Sequence, residues 1–175
     1  MQTVKWGNAM WTPLHAITFN YPIKPTQEDK NKYKNYFTIT GNILPCKYCR
    51  NSYNTYAKYI PLDPFLDSRE GMVYWLYVIH NLVNQKLYKP LFPLCEVVVI
   101  YEKMRAKCGS VKKDNIKYKS CARKFYKNVD KSIIDAHIKN TEKYKPIMKK
   151  YIQQLFNSND NPNKEAIENY LKENH

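Results

Sequence analysis

The sequence predicts an all-α protein, a helical bundle followed by a helical tail. Three observations predict it. Apolar residues of the first segment recur at three- and four-residue spacing, glycine is scarce at 4 in 175 residues, and the 10 prolines gather near segment ends. That combination belongs to helices rather than to a turn-rich sandwich. A chain of this length fits one ordinary domain with an appendage and can bury a real core.

From Thr3 to Tyr21, Trp6, Met10, Leu14, Ile17 and Tyr21 line one helical face, and Pro22 stops the pattern. Thr26 followed by Glu28 and Asp29 signals the start of a second helix, with Tyr33, Tyr36, Phe37 and Ile43 on its apolar side, ending before Pro45. Gly41 weakens its last turn. A third helix is expected from Cys46 to about Tyr59, with Pro45 in a first-turn position and Pro61 closing the segment. Ser68 with Glu70 opens a fourth, to about Tyr88, and a fifth runs from about Leu94 to Ala106. Beyond Cys108, lysine and asparagine replace the large aliphatics, and helices are expected near Asp130–Lys150 and Pro162–Glu173.

The N-terminus shows no basic stretch followed by an apolar one, so no secretory signal is expected. The longest apolar run, Gly71 to Val83, is too short to span a bilayer and carries His80 and Asn81. These features predict a soluble cytoplasmic protein without a membrane role, whose five cysteines are reduced thiols. The formal net charge is +14, concentrated late in the chain at residues such as Lys112, Lys113, Lys117, Lys119, Arg123 and Lys124. Such a run fits either a solvated helical surface or a basic module that binds nucleic acid or an acidic partner.

Cys46 and Cys49 form a Cys-x-x-Cys pair within "LPCKYCRNSY", for which zinc binding, inert packing and redox exchange are the three readings. A structural zinc site needs four ligands, and neither a second Cys-x-x-Cys nor a close histidine pair is present. No metal is therefore expected. A cysteine in the first turn of a helix sits near unpaired N–H groups, and Lys47 and Arg50 add positive charge, which favours the thiolate that disulfide exchange requires. No thioredoxin-like βαβ pattern surrounds the pair, so its electrons must go elsewhere in the chain.

The fourth helix is apolar on nearly every face through Ile79, then presents His80, Asn81 and Asn84 within one turn. Trp11 and His15 stand at i, i+4 on the first helix. Burying such groups unpaired costs roughly 2–7 kcal/mol each, so they must satisfy one another or meet a polar ligand. With Trp6, Trp11, Trp75 and Tyr101 available to stack, a heterocyclic cofactor satisfies both sets.

"WGNAMWTPLH" with the following "YP", then "PCKYC", then "HNLVNQKLYKP" resembles, in order and spacing, the Erv/ALR family of FAD-linked sulfhydryl oxidases. The resemblance covers Lys5 to about Tyr101 and is closest to the compact forms of large cytoplasmic DNA viruses, which implies a location in host cytoplasm or virion. It implies a four-helix bundle with a short fifth helix cradling FAD, usually a homodimer through the first helices. It divides the chain into an oxidase domain at 1–107 and a lysine-rich helical extension at 108–175. Gly7, Trp11, His15 and Tyr21 would face FAD from the first helix, and His80, Asn81, Asn84, Lys86, Leu87 and Lys89 from the fourth. Tyr101 would stack from the fifth. The implied activity is formation of disulfides in dithiol-containing protein substrates. Cys46 would take the substrate thiolate, Cys49 would pass two electrons to FAD, and molecular oxygen would leave as hydrogen peroxide.

The chain also departs from the family's pattern. The usual structural disulfide between the fourth and fifth helices is not expected, because Tyr77 stands at its first position and Cys95 falls one residue past its second. Asn8 stands where the family commonly has arginine, which removes one phosphate contact. Cys95 and Cys108 are thirteen residues apart, about 20 Å along a helix and beyond disulfide reach. Cys108 with Cys121 remains open as a clamp, an electron shuttle or two free thiols.

Overall fold

The computed structural model describes residues 1–105 and 129–160. Seven α-helices occur among them: α1 (Thr3–Phe19), α2 (Gln27–Ile43), α3 (Lys47–Tyr59), α4 (Arg69–Lys86), α5 (Leu94–Lys103), α6 (Lys131–Thr141) and α7 (Lys145–Asn157). Short 3-10 turns lie at Asp63–Phe65 and Glu142–Tyr144, and no strand occurs among the described residues. None of the described helices is long and apolar enough to cross a membrane. The expected helix at Pro162–Glu173 and the cysteines Cys108 and Cys121 lie outside the described residues.

Local chemistry accounts for the helix ends. Thr26 caps α2 in a capping box, its hydroxyl accepting from the Asp29 N–H at 3.1 Å while the Asp29 carboxylate accepts from the Thr26 N–H at 2.9 Å. Ser68 caps α4 by accepting from the Gly71 N–H at 3.1 Å. Cys46 is itself the cap of α3, one position earlier than a first-turn residue, so Pro45 precedes the cap. Near the C-terminal end, the single helix expected at 130–150 divides around Pro146, which lacks an N–H and cannot continue the ladder.

α4 ends in an unusual way. Tyr88 N–H bonds the Gln85 carbonyl at 3.0 Å and Lys89 N–H bonds the Asn84 carbonyl at 2.9 Å, the paired bonds of a Schellman terminus. That terminus needs a left-handed residue, and here it is a tyrosine at φ 53° rather than a glycine.

α4 is the central helix. Its residues 71–79 are buried without interruption, which matches a segment apolar on nearly every face. α1 packs along one side of it and α3 along another. Polar ties fix the arrangement: Trp75 Nε1 donates to the Ile60 carbonyl at 2.9 Å, and Arg69 Nε to the Tyr21 carbonyl at 2.6 Å.

α6 and α7 enter the same core rather than standing off from it. Tyr144, Met148, Ile152 and Leu155 belong to the buried cluster that contains Trp75 and Leu76. At the join of α1, α5 and α6, Arg105 pairs with buried Glu102 at 2.6 Å and donates to the Phe19 carbonyl at 3.0 Å, while His137 Nε2 lies 3.7 Å from Glu102. Burial pushes the Glu102 carboxyl up, but hydrogen bonds from Arg105 and His137 outweigh it and bring the group down to about 2.

Two positions make opposite predictions about glycine. A Cβ on Gly71 would lie 2.3 Å from the Phe65 carbonyl oxygen and 2.8 Å from the Tyr144 hydroxyl. Gly71→Ala should therefore destabilise the protein by about 1–2 kcal/mol, even after the roughly 1 kcal/mol that alanine gains over glycine in a helix. Tyr88→Gly should stabilise it by about 0.5–1 kcal/mol through relief of the left-handed backbone. Urea midpoints of the two variants, measured against the parent, should move in opposite directions.

Candidate active site

A cavity of about 520 Å3 lies between α1, α3 and the C-terminal half of α4. From α1 it is lined by Thr3, Gly7 and Trp11, which occupy positions i, i+4 and i+8 and so share one helical face. α3 contributes Cys46, Cys49 and Ser52, again on successive turns, and α4 and its terminus contribute Asn84, Lys86, Leu87 and Lys89.

The two cysteines are free thiols of different character. The Cys46 sulfur accepts from the Cys49 N–H at 3.4 Å. Hydrogen bonding from the Cys49 thiol and then from that N–H lowers the Cys46 thiol to about 7. The Cys49 thiol is raised instead, chiefly by burial and then by its bond to Cys46, with Thr3 and Lys86 opposing. The activation of Cys46 thus comes from Cys49, first through its thiol and then through the N–H it presents to the helix cap. Lys47 and Arg50, expected to supply it, have other roles: Lys47 is exposed and the Arg50 guanidinium donates to the Leu44 carbonyl.

Behind Trp11, which lines the cavity, lies a stack of rings. Trp11 lies parallel to His80 with centroids 4.0 Å apart, and His15 Nε2 meets His80 Nδ1 at 3.0 Å. Tyr101 stacks on the far side of His15 at 4.8 Å. Burial, with His80 as neighbour, lowers His15 to about 3, and burial with Lys89 nearby lowers His80 to about 4. Both rings are therefore neutral near pH 7, one donating and the other accepting.

Of the residues assigned from sequence to the thiol chemistry or to FAD, eight line the cavity: Gly7, Trp11, Cys46, Cys49, Asn84, Lys86, Leu87 and Lys89. His15, His80 and Tyr101 form the stack behind them. Two residues stand elsewhere. Tyr21 is fully buried and its hydroxyl donates to the Leu66 carbonyl at 2.7 Å, which commits it to the core. Asn81 donates to the Phe92 carbonyl at 3.0 Å and accepts from the Phe92 N–H at 3.2 Å, so it clamps the loop before α5. Asn8, which lacks the family's positive charge, accepts from Lys89 Nζ at 3.2 Å and so holds a cation at the rim.

Sequence reasoning missed Thr3 and Ser52. Ser52 lies one turn after Cys49 and accepts from Lys86 Nζ. Thr3 lies one turn before Gly7, with its hydroxyl 3.7 Å from the Cys49 sulfur. The i, i+4 relation of Thr3 and Gly7 and the i, i+3 relation of Cys49 and Ser52 are both readable from sequence.

The donor set fits a flat, acceptor-rich, anionic ligand. Trp6 Nε1 and Asn84 Nδ2 are buried N–H groups without a partner, and both residues line the cavity. Lys86 and Lys89 add two ammonium groups, and no carboxylate is among the lining residues. Leaving buried donors unpaired costs about 1–3 kcal/mol each, a loss that the carbonyl and ring-nitrogen acceptors of a flavin would reverse, with the lysines beside its phosphates. Cys95, by contrast, is free and exposed and takes no part in the cavity.

Comparison with known proteins agrees with this geometry. A family profile described as Erv1 / Alr matches residues 8–105. A probable FAD-linked sulfhydryl oxidase of Acanthamoeba polyphaga mimivirus is 39% identical over 104 residues, covering 59% of this chain and 73% of that one. The mitochondrial FAD-linked sulfhydryl oxidase ERV1 of Saccharomyces cerevisiae is 36% identical over 86 residues, 49% of this chain and 44% of its own length, so the chain spans less than half of that relative. The crystal structure of the yeast Erv1 core superposes with a TM-score of 0.52 at 32% identity, covering 55% of this chain and 80% of that one. With the family's profile spanning more than half of its length, the chain belongs to the Erv1/Alr family.

Proposed function

We propose that this protein is an FAD-dependent thiol oxidase that forms disulfides in dithiol-containing protein substrates. The observation that carries the reading is the cavity itself: an asymmetric dithiol opens onto a chamber with two unpartnered N–H donors, two lysines and a ring stack. Residues 1–107 form the catalytic unit, with α6 and α7 packed against it. FAD, when bound, supplies a two-electron acceptor that molecular oxygen reoxidises, releasing hydrogen peroxide.

The chain's own residues account for the thiol chemistry. Starting from the Cys46–Cys49 disulfide, a substrate thiolate attacks the Cys46 sulfur and Cys49 leaves as a thiolate. The second substrate thiol then attacks the substrate sulfur of that mixed disulfide. Cys46 is helped to leave by its place as the cap of α3, where the Cys49 N–H, 3.4 Å from its sulfur, meets the charge that develops on it, and a less basic thiolate is the better leaving group. The substrate departs oxidised and the chain keeps two electrons in its dithiol. Cys49, the sulfur held up by burial, is the one placed to pass them inward.

In this reading Trp6 and Asn84 donate to the flavin nucleotide, Lys86 and Lys89 neutralise its phosphates, and Gly7, Trp11 and Leu87 make apolar contact. His15, His80 and Tyr101 form the aromatic wall. An exposed row on α2, Tyr36, Ile39 and Ile43 at i, i+3 and i+7, supports a homodimer. The viral relatives support work in host cytoplasm or virion.

Purified protein is expected to carry flavin absorbance and to consume oxygen when given a dithiol, and a folded, colourless, inert protein would sink the assignment. Cys49→Ser should reduce turnover at least a hundredfold while leaving flavin bound. Cys46→Ser should lose activity on protein substrates, and full turnover in that variant would reverse the assigned roles.

The neutral histidine pair predicts a pH dependence. Both rings have folded-state values below the ordinary 6.5, so the unfolded chain protonates first as pH falls. Their contribution is fully present above about pH 6.5 and declines toward pH 4, by up to ~1.4 kcal/mol per pH unit for each ring. Urea midpoints should be level near pH 7 and fall between pH 6.5 and 5, with a shallower fall in His80→Gln. A midpoint unchanged over that range would contradict the buried neutral pair.

A further inference from the structure

We propose that Thr3 is a further residue of the thiol chemistry, its hydroxyl donating a hydrogen bond to the Cys49 sulfur as that sulfur leaves the Cys46–Cys49 disulfide. The inference rests on the dithiol exchange assigned above. In the step concerned, a substrate thiolate forms a bond to Cys46 Sγ, the Cys46–Cys49 bond breaks, and its electron pair passes to Cys49 Sγ. No proton moves, so the new negative charge must be met by groups already in place.

Cys49 is where help is needed. Its cap partner serves Cys46 instead: the Cys49 N–H points at the Cys46 sulfur at 3.4 Å. Burial works against a thiolate at Cys49. The Thr3 hydroxyl lies 3.7 Å from Cys49 Sγ, within reach for a sulfur acceptor. A thiolate has no proton to give, so the hydroxyl is the donor once Cys49 is charged. Lys86, held by Ser52 one turn along α3, adds positive charge on the same side.

The aim of the hydroxyl is built in. Threonine is stiff about its first side-chain torsion, so the positions of its methyl and hydroxyl are linked. The Thr3 methyl lies over Gly7, where a Cβ would come within 3.0 Å of Cγ2. Glycine at position 7 makes room for the methyl, and with the methyl seated there the hydroxyl faces α3. Gly7 thereby acts on the dithiol through Thr3 as well as lining the cavity.

The test uses the full chain carrying Cys46→Ser, so that Cys49 is the sole active-site thiol, and follows its alkylation by iodoacetamide against pH with peptide mass spectrometry. Thr3→Val, which keeps the branched shape and removes the donor, should raise the midpoint of the Cys49 profile by about 0.5–1 pH unit, a three- to tenfold slower reaction near neutral pH. Thr3→Ser, which keeps the donor and loses the methyl, should recover at least half of that shift. A Thr3→Val profile that superimposes on the parent overturns the proposal. So does a Thr3→Ser profile displaced as far as that of Thr3→Val, which would mark a packing role alone. Alkylation requires neither oxygen nor electron transfer, so a protein that fails as an oxidase would still report on Thr3. An active oxidase with an unmoved Thr3→Val profile would overturn this inference and leave the oxidase reading standing.

Discussion

The seam between α1 and α4 is the constraint on which the rest of the molecule depends. It is closed by the His15–His80 hydrogen bond at 3.0 Å, with Trp11 stacked on one side and Tyr101 on the other. Because the His15 imidazole is buried and that of His80 is half-buried beside it, each needs the other as a partner, and the cost of separating them fixes where the two helices meet. The cavity lies on the side of that contact toward the N-terminus of α1 and the C-terminus of α4, while Ile79 and Phe19 join the core. α3 must then meet the opening with its first turn, which brings the dithiol to the mouth of the chamber.

Within that frame, one short stretch of backbone makes two chemically different sulfurs from identical side chains. The cap position gives Cys46 a backbone N–H donor, while three residues later Cys49 has no backbone donor of its own and burial raises its thiol. The spacing of two intervening residues is what a helix start requires for this: residue N3 donates its N–H back to the cap. The same hydrogen bond that defines the helix end therefore separates the outer sulfur from the inner one.

Much of this was legible in the sequence, for reasons that can be named. Thr26 and Ser68 announce their helices because caps are local, and α4 announces its central place because it is apolar all round. Lys86 and Lys89 came only through the family resemblance, whereas the dithiol was legible as a Cys-x-x-Cys pair at a helix start and Asn84 through its i, i+4 relation to His80. Tyr21 and Asn81 were not, since sequence spacing shows that a side chain points inward but not which backbone carbonyl waits there. Leu66 and Phe92, 45 and 11 residues distant, supply those partners. Thr3 escaped notice because its partner Cys49 is 46 residues away and a threonine at a helix start reads as a local feature.

The helices beyond residue 128 show the same limit at larger scale. Their lysine-rich faces read as a solvated tail, and the outward surface is indeed charged, but α7 turns Met148, Ile152 and Leu155 into the core at i, i+4 and i+7. Tyr144 rests against Gly71, where any larger residue on α4 would meet it. Cys95 is free, so no disulfide of that residue fixes the start of α5. α6 packs against both α4 and α5, and Glu102 is held by Arg105 with His137 beside it. Packing and a buried charge pair thus restrain α5 noncovalently. Since α5 carries Tyr101, the outer ring of the stack, the order of the rings behind the cavity depends on helices that lie outside the region shared with the family profile.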